Sequence, residues 1–413
     1  PMLGAGALIV GFVAGLYPSF YLSSFRPAQV LKGNVSRGSK NAATRSVLVV
    51  FQFTVSIVLI AGTFVINRQM NYILTKKTGF DKDQVLLLQG AHTLQEQIIP
   101  FKAELLRVPG VKSASISGFL PVAHTSRNGS PVWLEGQTKE ASSVGCQQWR
   151  VDHDYAETLG LKIVEGRDFS YAIRSDSQAV VINSTLAKAL NLKNTVGARV
   201  TNGRKTYDVI GVMEDFHFES LRQNIEPLML VIGRSPQTVS VKVSTADMPR
   251  LIEAVSEVWK TFSPNQPVRY TFLDQSYARM YDDVDRVGRI FSSFAVLAII
   301  VACLGLFALS AFMVEQRSKE ISIRLVLGAS INNIFSLLTV NFLKLVVISL
   351  VIAVPISLYM AQEWLKDFAY RTEIGWDIFV FAGVVSLLIA VLTISYQSVR
   401  AALMDPVKSL RSE

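Results

Sequence analysis

Two cysteines in 413 residues leave no room for a disulfide framework: Cys303 lies inside an apolar run, and Cys146 is the only thiol in a soluble region. Charge is scarce too. With 18% charged residues and a mean hydropathy of +0.34, the chain is too apolar for an ordinary soluble protein, yet too charged to be membrane spans alone. A mixture of the two follows. Catalytic signatures are also missing. Residues 197–206 read GARVTNGRKT, where Arg204 separates the glycine from the lysine at the wrong spacing, so no P-loop binds ATP here. Neither a Gly-x-Ser-x-Gly elbow nor a paired His-Glu helix occurs. The nearest approaches to a metal or acid–base set are Asp152, His153 and Asp154, and Glu214, Asp215 and His217. Neither has a third ligand at a recognised spacing, and neighbours on a strand or turn point in different directions, so surface or capping roles are expected. No cofactor and no metal is implied.

The net charge of +9 raises nucleic acid as a partner until the basic residues are located. Arg26, Lys32, Arg37, Lys40 and Arg45 occur without an acidic residue among them, directly before an apolar run. Such a block holds a loop on the cytoplasmic side, and membrane lipid rather than nucleic acid is the expected surroundings.

A bilayer core needs about 20 mostly apolar residues per helix. Spans are expected at 46–66, 287–314, 334–360 and 377–399. In the first, Gln52, Ser56 and Thr63 share one helical face and should turn toward other helices, because facing lipid would leave them unpaired. The second has a small-residue stripe of Ala295, Ala298, Ala302 and Gly305, suited to close packing. The third is short in apolar residues, but Lys344 can snorkel to lengthen it, and Pro355 can kink it. If the basic linker at 26–45 is inside, the spans alternate out, in, out and in. The inside stretches 315–332 and 400–413 each carry three basic against two acidic residues, whereas the outside stretch 361–377 has Lys366 and Arg371 against four acids. The sign agrees throughout.

Between the first two spans, residues 67–286 read as a folded domain. Strand, helix and strand are expected at 84–88, 94–107 and 111–117, and again at 238–244, 248–262 and 268–272. These units can form one split βαβ layer, with residues of about 130–235 inserted as a second lobe. The insert has strands at 179–182, 207–212 and 228–232, and a helix at 184–190. The fold class is thus a membrane protein: an α-helical transmembrane bundle with a large α+β extracytoplasmic domain.

An internal repeat appears at an offset of 379 residues. Gly4, Ala7, Gly11 and Ala14 match Gly383, Ser386, Ala390 and Thr393, and Tyr17, Pro27, Leu31 and Lys32 match Tyr396, Pro406, Leu410 and Arg411. Residues 1–25 therefore read as the last span of a preceding module. The apolar stretch at Pro1 lacks the charged flank of a signal peptide, which predicts that the sequence begins partway through a longer protein.

The cytoplasmic stretch EQRSKEISIRLVLGAS, residues 315–330, carries the most information. As a helix it sets Glu315 with Lys319 and Glu320 with Arg324 as i, i+4 pairs. Ile321, Leu325 and Leu327 give an apolar side, and Gly328 a stop. On physics alone, a charged interfacial turn explains it equally well. This stretch closely resembles the segment after the second span in MacB/FtsX-type permeases of ABC transporters. VPGVKSASIS, LGLKIVEGRDFS, AVVINSTLAKAL and YDVIGVMEDFHFESL in the outer domain resemble the same family, as do FAYRTEIGW and DPVKSLRSE near the end. The resemblance covers nearly the whole chain and is greatest to the two-module form common in Bacteroidetes.

The resemblance implies a permease subunit of a mechanotransmission-type ABC system in a bacterial inner membrane, multi-pass, with its large domain in the periplasm. It implies that a separate cytoplasmic ABC ATPase docks on a coupling helix within 315–333. The residues so implicated are Glu315, Arg317, Lys319, Glu320, Ile323, Arg324, Gly328, Ala329 and Ser330. No catalytic residue is implied in the chain itself. The outer domain would change conformation to export or extrude a substrate that the sequence does not identify. Further implied partners are a periplasmic adaptor or substrate protein, and a second module in the same chain or a dimer partner. A rival reading is an ATPase-gated signalling or scaffold protein controlling a periplasmic partner such as a cell-wall hydrolase. A membrane-anchored hydrolase has little support, because no nucleophile and base pair.

Overall fold

The structure, a computed structural model, describes residues 38–316 and 330–402, together with residues 12, 320, 323, 324 and 327. The expected span of a preceding module apart from Phe12, most of the basic linker and the last eleven residues lie outside the described residues. Four long helices run through Gly38–Thr75, Asp282–Gln316, Ile331–Leu365 and Trp376–Ala402. Each contains a stretch long and apolar enough to cross a membrane. Each also exceeds the apolar run that revealed it. At about 1.5 Å per residue, the first, of 38 residues, is roughly 57 Å long, against a hydrocarbon core of about 30 Å. The third continues through Pro355.

Two compact units result, and their division falls inside each long helix. In the bundle unit, Val49, Phe53, Ala302, Leu306, Phe342 and Ala390 bring all four helices into one apolar cluster. Polar groups face inward here, as lipid would leave them unpaired. Ser349 Oγ donates to the Val50 carbonyl at 3.1 Å, and Ser56 is buried. Gly305 allows the close approach that its small-residue stripe suggests: a Cβ there would lie 2.2 Å from Gln52 Oε1.

The outer unit, Ile60–Ser293 with Ser357–Ile378, contains two lobes. In the first, strands β1 (Val85–Gln89), β2 (Val111–Ile116), β10 (Thr238–Val243) and β11 (Arg269–Phe272) form a sheet of order β11-β1-β10-β2. Neighbours are antiparallel, so β1 and β2 run parallel with β10 between them: a split βαβ arrangement. The Met248–Phe262 helix buries Leu251, Val255 and Trp259, one stripe at i, i+4 and i+8. Its start is capped by Asp247, which accepts from the Arg250 amide. The helix expected at 94–107 is broken. A 3-10 segment, Ala91–Gln97, kinked within at Gln95 (φ 47°), precedes an α-helix, Ile98–Leu105. Pro100 is the cause: its ring excludes a helical carbonyl at residue 96, so it is tolerated only in a first turn.

The second lobe holds β3 (Gly129–Leu134), β4 (Val144–Val151), β5 (Ile163–Gly166), β6 (Ala179–Asn183), β7 (Arg199–Thr201), β8 (Thr206–Met213) and β9 (Leu228–Ile232). The order is β5-β8-β6-β9-β4-β3-β7, and β7 also pairs with β8, so six strands close on themselves. Val180 and Ile182 of β6 and Met229 and Val231 of β9 fill the interior. The alternate residues Val181, Leu228 and Leu230 enter a larger core with Leu87, Trp149 and Tyr277. Burial on both faces explains why AVVIN and LMLVI are almost uninterrupted apolar runs.

Candidate functional site

The cytoplasmic stretch is seen in part. Glu315 lies in the last turn of the second long helix, and Glu320, Ile323 and Arg324 are helical. Arg324 Nη2 lies 2.8 Å from Glu320 Oε1 with both side chains almost half exposed, so the expected i, i+4 pair forms. Ile323 and Leu327 are 52% and 81% exposed. The Leu327 amide donates to the Ile323 carbonyl, which sets these two apolar side chains on one side of one turn. Ser330 precedes the third long helix, and its Oγ accepts from the Asn333 amide at 3.4 Å, the position of an N-cap. Arg317, Lys319, Gly328 and Ala329 lie outside the described residues.

The two triplets weighed as metal sets have other partners. Asp152 and Asp154 follow β4 and meet Lys102 of the Ile98–Leu105 helix, so the cluster joins the two lobes. Lys102 Nζ donates to Asp152 Oδ2 at 2.7 Å and also to Asp154. Asp152 additionally accepts from Ser115 Oγ at 2.6 Å and from the Ile116 amide at 2.8 Å. Tyr171 donates to Asp154 at 2.8 Å, and His153 stacks on the Tyr171 ring at 4.0 Å. Burial acts to lower the Lys102 pKa, but Asp152 and Asp154 outweigh it and hold the ammonium above its usual range. Nearby Asp168 is raised to about 6 by burial, with Asp154, Asp176 and Glu157 adding repulsion.

In the second triplet, Asp215 accepts from the Thr185 amide at 2.8 Å and caps a helix. Glu214 lies 3.8 Å from Lys162. His217 is buried, 4.5 Å edge-to-face from Tyr370. Its pKa falls to about 4, chiefly through burial, with Lys76 adding to the effect and Asp215 opposing it. The ring is therefore neutral near pH 7. Tyr370 belongs to the connector between the third and fourth long helices, which docks on the segment after β8. The Tyr370 amide donates to the Leu221 carbonyl at 3.1 Å, and the Ala369 amide to the Arg222 carbonyl at 3.3 Å. Gln69 of the first long helix, fully buried, completes the junction. Its Nε2 donates to the Tyr370 carbonyl at 3.0 Å, and its Oε1 accepts from the Thr372 amide at 2.8 Å. Leu221 also donates its amide to Tyr281 Oη at 2.9 Å.

Sequence reasoning missed Lys102, Gln69 and Tyr370 as joining residues. FAYRTEIGW and the DFHFESL part of the longer motif were each noticed, but nothing in the sequence said that they touch.

Together, four long apolar helices among the described residues and a large α+β outer domain define a membrane protein with an extracytoplasmic domain. Residues 46–258 match the MacB-like periplasmic core domain, and residues 292–406 match the FtsX-like permease C-terminal region. The chain belongs to the MacB/FtsX-type family of ABC transporter permeases. Among curated relatives, it is 23% identical over 305 residues to the macrolide export ATP-binding/permease protein MacB 2 of Aeromonas hydrophila, covering 68% of this chain and 47% of that one. It is 22% identical over 276 residues to the uncharacterized ABC transporter permease YknZ of Bacillus subtilis, covering 64% of this chain and 69% of that one. The chain spans about half the length of the macrolide exporter. The periplasmic region of MacB from Actinobacillus actinomycetemcomitans aligns at a TM-score of 0.36 and 16% identity, covering 49% of this chain and 94% of that one, a likeness too low to bear a conclusion.

Proposed function

We propose that this permease couples ATP hydrolysis by a partner ATPase in the cytoplasm to a conformational change of its outer domain, for export or extrusion across a bacterial inner membrane. The reading is carried by four described residues, Glu320, Ile323, Arg324 and Leu327. Two large apolar side chains, Ile323 and Leu327, stand in the open beside a Glu320–Arg324 pair. An apolar centre with a charged rim is what a protein partner covers. The ATPase is a separate subunit in this reading, although relatives named ATP-binding/permease proteins carry both activities under one name. Glu315, Arg317, Lys319, Gly328, Ala329 and Ser330 complete the proposed docking segment. A periplasmic adaptor or substrate protein and a second module, as a preceding repeat or dimer partner, complete the assembly.

The domain assignment is part of the same proposal. The coupling segment is 315–333, the outer domain is 67–286 with its insert at about 130–235, and a short outside loop spans 361–376. Exposed pairs contribute only about 0–1 kcal/mol to stability, so Glu320→Lys or Arg324→Glu leaves membrane abundance near normal. At an interface, an unpaired desolvated charge costs roughly 2–5 kcal/mol, a loss in affinity of about thirtyfold or more. Each reversal should therefore strip the ATPase from the purified complex. Full co-purification and full activity in both variants would leave only the interfacial-turn reading.

A further inference from the structure

The outer unit contains a cleft of about 640 Å³, a size that suits a small ligand. Its floor extends one face of β1. Val85 and Leu87 point into the apolar core, and Gln89, next on that face by alternation, lines the cleft. Ala123 and Met280, both half-buried, give the cleft an accessible apolar wall, backed by the buried Leu120 and Val122. The rim is basic. Arg269 lies opposite Gln89 in the β11–β1 register, and its guanidinium rests over bare backbone: a Cβ on Gly90 would be 3.2 Å from Nη2. Among the described residues, nothing pairs with the Arg269 head. Arg279 donates to Ser276 Oγ at 3.0 Å and has no ion-pair partner among the described residues. Asp282 is the one carboxylate lining the cleft among them.

A larger cleft, of about 1000 Å³, differs in this respect. Its Lys242 is engaged by Asp81, its Lys82 by the Leu74 carbonyl, its Lys162 by Glu214 and its Lys76 by Tyr72 Oη, which leaves Lys77, a single ammonium rather than a pair of guanidiniums, as the remaining basic group of its lining. Of these two clefts, the smaller combines an apolar wall with two guanidiniums that have no ion-pair partner among the described residues. Each guanidinium presents several donors in a fixed fork that matches two oxygens of a carboxylate or phosphate.

We propose that this cleft binds a small amphipathic anion, its carboxylate or phosphate held between Arg269 and Arg279 and its apolar body laid against Ala123 and Met280. Asp282 begins the second long helix, so a bound anion sits beside the start of that helix as well as on the sheet. The site does not depend on the ATPase-docking reading, because it requires only the outer unit.

Calorimetry on the full chain in a neutral detergent tests the proposal with three probes. The expected result is saturable binding of 4-phenylbutyrate, no binding of 4-phenylbutylammonium, and far weaker binding of inorganic phosphate, which lacks the apolar body. One charge-assisted bond is worth about tenfold in affinity, so Arg269→Gln and Arg279→Gln should each weaken phenylbutyrate by about that factor. Both residues are exposed, and unchanged melting temperatures would show the variants folded. Asp282→Asn should tighten binding by removing the opposing charge. Equal binding of the cation, equal binding of phosphate, or indifference to both arginine substitutions would overturn the proposal, as would the absence of any phenylbutyrate binding.

Discussion

Replacing Lys102 with Met should cost far more than removing any lysine from an open helix face. The Lys102 side chain is only 8% exposed, and Asp152 and Asp154 beside it are 18% and 30% exposed. Met fills a similar volume, so the loss is electrostatic: two carboxylates are left facing each other without a cation. Ser115 Oγ, the Ile116 amide and Tyr171 Oη still donate to them, which places the cost at the low end of the range for a broken buried pair, about 3 kcal/mol. For a unit of this size, that corresponds to a fall of about 6–12 °C in melting temperature. Trp149, packed against Phe119, Phe216 and Phe218, offers a fluorescence probe of the transition in the full chain. Adding Asp152→Asn to Lys102→Met removes one of the stranded charges and should restore part of the loss, a coupling that additive substitutions would not show. Arg107→Met is the surface control: its side chain is 75% exposed in a pair with Glu104, and it should change stability by about 0–1 kcal/mol. If Lys102→Met and Arg107→Met melt alike, the lobes are not held by this cluster.

Acid titration should separate two buried groups of opposite sign. His217, depressed to about 4, costs stability as pH falls from about 6.5 to 4, because there the unfolded chain binds the extra proton. Asp168, raised to about 6, acts the other way, since the folded chain binds the proton first. Asp168→Asn should therefore stabilise the domain by about 1–3 kcal/mol at pH 7.5 and lose that advantage as pH drops from 6 toward 4; an advantage that does not vary with pH would contradict the assignment. Gly305→Ala brings a Cβ to 2.2 Å from Gln52 Oε1, the far end of a flexible side chain; the amide can turn aside and Ala favours a helix by about 1 kcal/mol over Gly, so the melting temperature in detergent should change little, whereas Gly305→Leu should overpack the helix contact and destabilise the bundle by about 1–3 kcal/mol. Gln69→Leu leaves the Thr372 amide and the Tyr370 carbonyl without their side-chain partner, so hydrogen exchange at residues 369–372 should accelerate while exchange in β6 stays slow; unchanged exchange at 369–372 would remove Gln69 from the junction.

Much of this architecture is legible in the sequence for simple reasons. Spans announce themselves by apolar length, and the split lobe by two strand–helix–strand units whose amphipathic periods are strong, Leu251, Val255 and Trp259 being the clearest. Closure of the second lobe is not legible. It depends on β7, three residues long, pairing with both β3 and β8, and β3 contains Pro131, which weakens its strand signal. The joining residues are hidden for another reason. A lysine such as Lys102 reads as a solvated helix residue until Asp152, fifty positions away, is brought to it by the fold. Gln69 has the same problem across 301 positions. The Glu320–Arg324 pair was readable because its spacing lies within one helix.

The central claim is that an ATPase docked on Glu320, Ile323, Arg324 and Leu327 changes the shape of the outer domain. Its most direct test is the distance between spin labels on exposed Leu106 in one lobe and exposed Val196 in the other, measured in the complex with ATPase before and after ATP is added. The account predicts a shift of several ångströms in the wild-type complex and none in an Arg324→Glu complex held together by excess ATPase. Identical distance distributions with and without ATP in the wild-type complex would contradict it.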